Sequence, residues 1–147
     1  PSAAAMADHM FKYADFASVG TNDLTQYVMA ADRMLGSLAD LNTPWQPAVL
    51  RLLKIACDGA AASEKKSPVG VCGEAAADPA LAVVLVGLGV ASLSMTSRAL
   101  ADVDAVLKSV TREDCKRLAD IALACAEAEE ARAAVRAELP ILEELGL

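Results

Sequence analysis

At 147 residues and 55% apolar composition, the chain has the length and hydrophobic content of one compact domain, which excludes intrinsic disorder. A formal net charge of -7, with no basic run beyond Lys65-Lys66, excludes a nucleic-acid partner, whose phosphates are bound through clustered Lys and Arg. Cys57, Cys72, Cys115 and Cys125 form no CxxC pair and no signal-peptide pattern precedes them, which argues against a disulfide framework or a zinc site and for reduced thiols in the cytoplasm.

The apolar share is mostly Ala, Leu and Val with only 3% aromatics, a mixture that suits helices packed on buried strands, so the fold class is α/β. The first residue is Pro1 rather than Met, and Ala3 to Tyr13 is a helical run with no strand before it, a pattern expected of a truncated polypeptide. A β-competent run follows near residues 15–19 and is closed by Gly20. Asn22 to Ala31 reads as helical, Asn42-Thr43-Pro44 as a loop, and Gln46 to Ser63 as a helix with Pro47 in its first turn.

The same order then repeats. Residues 68–72 form a strand, Gly73 to Asp78 a loop, and Pro79 to Gly87 a helix entered through Asp78-Pro79. Residues 91–95 form a third strand, Thr96 to Ala99 a loop, and Leu100 to Val110 a helix. From about residue 112 to 139 the sequence reads as one long amphipathic helix, entered through Thr111 with Asp114 three residues on, close to a capping box. The longest uncharged stretch, Pro79 to Ser97, is split by Gly87, Gly89, Ser92 and Ser94 into a buried helix and a buried strand, so no membrane insertion is expected. Three βα units fit either an open doubly wound sheet or part of a barrel, and both bind ligands at the C-terminal ends of the strands. Gly20 to Gln26, Cys72 to Asp78 and Met95 to Arg98 are therefore the segments where a site is expected.

In the first of these, Gly20 lets a ligand approach the backbone, free N–H groups at the helix start suit an anion, and Asp23 offers a hard oxygen to Mg²⁺. The plainer reading is that Asn22-Asp23 caps a helix. In the second, Cys72 beside Gly73 has the placement of a nucleophile or general acid, against the plainer reading of a buried packing thiol. Cys57, Cys115 and Cys125 fall within helical patterns and read as packing, His9 as a surface histidine, Gly87-Leu88-Gly89 as a helix-to-strand turn, and Trp45 as a loop anchor.

Gly20-Thr21-Asn22-Asp23-Leu24-Thr25-Gln26-Tyr27, Asp32-Arg33, Pro44 to Leu50, Val71-Cys72-Gly73-Glu74 with Asp78, and Leu93-Ser94-Met95 together resemble, in the same order, the C-terminal domain of the Enzyme I family of the sugar phosphotransferase system, within the phosphoenolpyruvate (PEP)-utilising enzymes. The resemblance runs from Pro1 to about Val110 and weakly through the terminal helix. Pyruvate phosphate dikinase and PEP synthase share the first and fourth motifs but usually continue with histidine where this chain has Ala75.

The resemblance implies a (β/α)8 barrel of TIM type, of which residues 1–147 hold the last three βα units and a long C-terminal helix. It implies transfer of the PEP phosphoryl group to a protein histidine, with pyruvate released. Asp23 is then a Mg²⁺ ligand, Asn22 and Arg33 bind the substrate phosphate, and Cys72 is the general acid that protonates the methylene carbon of enolpyruvate. A histidine-containing phosphocarrier protein is the expected partner, reached through an N-terminal domain that this sequence does not include, and the family forms homodimers through its C-terminal domain. The second carboxylate ligand, further phosphate-binding arginines and the acceptor histidine belong to upstream segments. Met34-Leu35 replaces the Gly-Asn that commonly follows Asp-Arg in the family. The isolated chain is expected to be inactive and at least dimeric. The competing readings are a dikinase or PEP synthase, and a non-catalytic dimerisation module.

Overall fold

The computed structural model describes residues 1–147 and is α/β, with a small parallel sheet among ten helices. Helical turns α1 (Ser2–Ala5) and α2 (Ala7–Met10) lead to β1 (Ala17–Gly20), α3 (Thr21–Met29), a 3₁₀ turn over Gly36–Leu41 and α4 (Pro47–Ala62). Then come β2 (Val69–Cys72), α5 (Glu74–Ala77), α6 (Pro79–Leu88), β3 (Ser92–Ser94), a 3₁₀ turn over Ser97–Ala99 and α7 (Leu100–Lys108). The chain ends with α8 (Arg112–Ala124), α9 (Ala128–Ala137) and α10 (Ile141–Leu145).

The strands run in the order β1-β2-β3, all parallel, with Val71 opposite Val19 on one side and Leu93 on the other, and Cys72 opposite Gly20 and Ser94. Successive side chains of a strand point to opposite faces. One face therefore carries Val69 and Val71, both fully buried, with Ala17, Val19 and Leu93 packed against the same core. The other carries Ser18, Gly70 and Ser92 in one row and Gly20, Cys72 and Ser94 in the next, and its serines are exposed. Both β1 and β3 have an unpaired edge.

Helix α6 organises the core. Asp78 caps it by accepting from the amides of Ala80 (3.0 Å) and Leu81 (3.1 Å), Pro79 opens its first turn, and Ala80 through Leu85 are completely buried. Each buried Val or Leu there contributes about 1.5–3 kcal/mol. The helix packs against α4, α7, α8 and α9. Gly87 belongs to α6 rather than to a turn after it: a side chain there would collide with the Cys115 carbonyl of α8, so glycine lets the two backbones touch. The turn itself is made at Gly89.

Two further expectations change. The opening run is interrupted at Met6 (φ -108°, ψ 25°), although Met10 N–H still bonds the Met6 carbonyl. The single helix expected over 112–139 is two helices, because Cys125 and Glu127 are extended (ψ 155° and 153°). Buried Cys115, Leu118, Ala122 and Cys125 continue at helical spacing onto Glu129 and Arg132, whose charges cannot enter the core. The chain resets its phase at the break so that Ala131 and Val135 face inward instead, and Glu130 accepts from the freed Ala126 amide at 3.0 Å. The start is as read: Thr111 and Asp114 form a reciprocal capping box. No helix is long and apolar enough to cross a membrane.

Candidate functional site at the strand ends

The C-terminal ends of the three parallel strands lie side by side, and the residues singled out from the sequence lie at these ends or in the segments that follow them. After β1 the chain enters α3 directly from Gly20, with no side-chain cap on the helix. Thr21, Leu24 and Thr25 form the buried side of α3, while Asn22 and Asp23 are exposed. The Thr21 and Thr25 hydroxyls, both 1% exposed, have no hydrogen-bond partner within the protein.

Helix α3 ends at Ala30 in a left-handed conformation (φ 51°), and Ala31 is buried. This reversal brings Arg33 back beside the start of the helix. Its amide donates to Gln26 Oε1 at 3.4 Å, and its guanidinium pairs with Asp23 at 3.2 Å. With the two side chains 49% and 69% exposed, the pair contributes at most about 1 kcal/mol and opens readily to an incoming anion or cation. Two residues selected from the sequence are thus in direct contact, and Gln26, whose role no spacing rule reveals, holds the returning chain.

Cys72 ends β2 and is half-buried. Its thiol donates to the Val19 carbonyl at 3.6 Å, which sets the sulfur against the end of β1, one residue before Gly20. Gly73 then adopts φ 99°, a conformation that disfavours any side chain, and its amide donates to Ser94 O at 3.0 Å, so the loop is tied to β3. The segment read as a loop over Gly73–Asp78 contains the short helix α5, with Ala75 and Ala76 buried and Glu74 exposed.

The other thiols are of a different kind. Cys57, Cys115 and Cys125 are buried, and burial, helped by Asp58, pushes the Cys57 thiol up to about 11. Burial, with Asp114 adjacent, raises Cys115 in the same direction. These three are packing groups, and Cys72 alone stands at a strand end on the open face. His9 lies on α2, exposed, beside Lys12 Nζ at 3.3 Å. Trp45 is 3% exposed and donates from Nε1 to Asp78 at 2.9 Å, an anchor with a partner that the sequence did not disclose. No cluster of three or more His, Cys, Asp or Glu side chains that could hold a metal ion occurs, and the Asp23 carboxylate is paired with Arg33.

Residues 1–112 match the family model described as PEP-utilising enzyme, PEP-binding domain. The chain is 50% identical over 139 residues to a phosphoenolpyruvate-protein phosphotransferase of Streptomyces coelicolor, covering 95% of this chain and 25% of that protein. It is 47% identical over 133 residues to a multiphosphoryl transfer protein of Xanthomonas campestris, covering 90% of this chain and 16% of the relative. A phosphoenolpyruvate-protein phosphotransferase of Geobacillus stearothermophilus is 43% identical over 130 residues, 88% of this chain and 22% of that protein. The chain thus spans a quarter or less of the length of these curated relatives. With its strand-end motifs inside the matched residues, the chain belongs to the PEP-utilising enzyme family.

Proposed function

We propose that this chain supplies the last three βα units of a (β/α)8 barrel in a PEP-protein phosphotransferase that moves the phosphoryl group of PEP to a protein histidine and releases pyruvate. The observation that carries the proposal is the placement of the Asp23–Arg33 pair and the Cys72 thiol at the same end of two neighbouring parallel strands, the pair just beyond β1 and the thiol at the end of β2. The open row of small residues Gly20, Cys72 and Ser94 suits the lumen side of such a barrel, and the helix-covered face suits its outside.

In this mechanism the Arg33 fork and the Asn22 side chain take the phosphate oxygens. Arg33 can hold two of them at once, and its exchange from Asp23 to phosphate costs little because the existing pair is exposed. Asp23, once released, is a hard oxygen ligand of the kind Mg²⁺ uses when one or two carboxylates and substrate oxygens complete its shell. Mg²⁺ would neutralise charge on the transferring group. The phosphorus–oxygen bond of PEP breaks as the histidine nitrogen takes the phosphoryl group, leaving enolpyruvate. Cys72 then gives its proton to the methylene carbon, the enolate collapses to the ketone of pyruvate, and the thiolate regains a proton from water.

The acceptor histidine, a second carboxylate and further arginines are assigned to upstream parts of the polypeptide. A small histidine-containing phosphocarrier protein is the onward acceptor, the location cytoplasmic and the assembly a homodimer. Cys72→Ala in the native polypeptide tests the reading. Pyruvate formation from PEP should fall by at least about a hundredfold. Unchanged turnover would remove Cys72 from the chemistry.

A further inference from the structure

Between buried Ala31 and buried Trp45, none of the thirteen residues 32–44 is fully buried, and this exposed stretch carries Arg33. Its start is fixed by Ala31 and by Gln26, which accepts from the Arg33 amide. Its end is fixed by Trp45, which is 3% exposed and leads into α4 through Pro47. The Cys72 loop is held in a comparable way. Gly73 ties its beginning to Ser94, and Asp78 closes its end.

The Asp78 carboxylate is divided between two tasks. Oδ1 accepts from Ala80 and Leu81, which locks Asp78 to the start of α6, while Oδ2 accepts from the Trp45 indole at 2.9 Å. The far end of the Arg33 segment and the far end of the Cys72 loop are therefore joined through one hydrogen bond spanning 33 residues of sequence. A partly buried bond from an indole to a carboxylate is stronger than one between neutral groups, and its direction is fixed because indole donates and cannot accept.

We infer that Trp45 is a positioning residue: through Asp78 it sets the Cys72 thiol relative to the phosphate end of the substrate held by Arg33. The inference rests on the site roles proposed above. Proton delivery to carbon needs the sulfur in line with one atom of a substrate anchored elsewhere, and a displacement of about 1 Å in such an arrangement can cost on the order of a hundredfold in rate.

The test uses the native polypeptide with PEP and compares Trp45→Phe, which keeps the ring but removes the donor, with Asp78→Asn. In the latter Oδ1 still caps α6, while the amide nitrogen facing the indole cannot accept. The expected result for each is a fall in kcat for pyruvate formation of about tenfold with KM for PEP within about twofold, because the phosphate contacts remain. The double variant should be no worse than the weaker single one, as for two ends of one contact. Lowered thermal stability with unchanged kcat, or a raised KM with unchanged kcat, overturns the inference. If Trp45→Phe does not fold, Asp78→Asn decides alone. Cys72→Ser in parallel separates the two levels: full activity there defeats the proposed site, whereas loss there with normal Trp45→Phe and Asp78→Asn enzymes defeats only the positioning role.

Discussion

Gly87→Ala sets two known effects of opposite sign against each other at the crossing of α6 and α8. Alanine is favoured over glycine in a helix interior by about 1 kcal/mol, so propensity alone predicts stabilisation. The added methyl, however, would collide with the Cys115 carbonyl and lie 2.8 Å from the Ala119 Cβ, where carbon atoms normally rest about 3.5–4.0 Å apart. A backbone carbonyl cannot rotate aside as a side chain could, so α8 must retreat by roughly 1 Å and carry buried Leu118, Ala119 and Ala122 with it. Overpacking of this kind costs about 3 kcal/mol at the upper end of the usual range. The net loss is then about 2 kcal/mol, or a thermal midpoint lower by roughly 4–8 °C for a domain of this size. Thermal unfolding followed by far-ultraviolet circular dichroism measures it, with Gly36→Ala as control, since a side chain at Gly36 meets nothing within 4 Å. A midpoint that rises in Gly87→Ala would mean that the two helices do not touch as described.

Thr111→Ala removes the N-cap of α8 and should cost about 1 kcal/mol, read as a lowered denaturant midpoint with unchanged slope. Its partner Asp114 is held below its ordinary 3.8 by the Thr111 hydroxyl and then the Thr111 amide. A depressed carboxyl stabilises the fold above its unfolded value, and that contribution disappears as pH falls through the lowered folded value. The acid-unfolding midpoint should consequently move to higher pH in Thr111→Ala, and coincident acid titrations would refute the coupling. The 147-residue chain alone, with unpaired edges on β1 and β3 and with Phe16 and Tyr13 69% and 85% exposed, should self-associate at tens of micromolar, about the range where such edges meet. A monomer in sedimentation velocity would contradict this.

Much of the order along the chain was legible. The strands expected near 15–19, 68–72 and 91–95 are found at Ala17–Gly20, Val69–Cys72 and Ser92–Ser94. The shift in the first follows from pairing: Ala17 N–H bonds Pro68 O, so Asp15 and Phe16 precede the ladder whatever their propensity. The break after Ala124 was missed because Cys125-Ala126-Glu127-Ala128 contains no Gly or Pro. Its signal was the arrival of Glu129 and Arg132 at positions that an unbroken helix would bury. At the candidate site, residue types at strand ends drew attention to Asp23 and Cys72 and the family resemblance added Asn22 and Arg33, but neither disclosed the contacts among their supports. Gln26 to the Arg33 amide and Trp45 to Asp78 join residues 7 and 33 apart through a chain reversal and a loop crossing, neither of which a local pattern encodes.

The alternation along β2 divides its labour residue by residue. Val69 and Val71 hold the sheet to the helices, while Gly70 and Cys72 face the open side and add little to that grip. Substitutions on the open side can therefore accumulate while the hydrophobic attachment stays intact, so reactivity and foldability drift under separate constraints even at adjacent codons. The same arrangement makes insertion or deletion of a single residue in β2 far more damaging than most replacements, because a slip of one position would send the thiol into the core and a valine onto the open face.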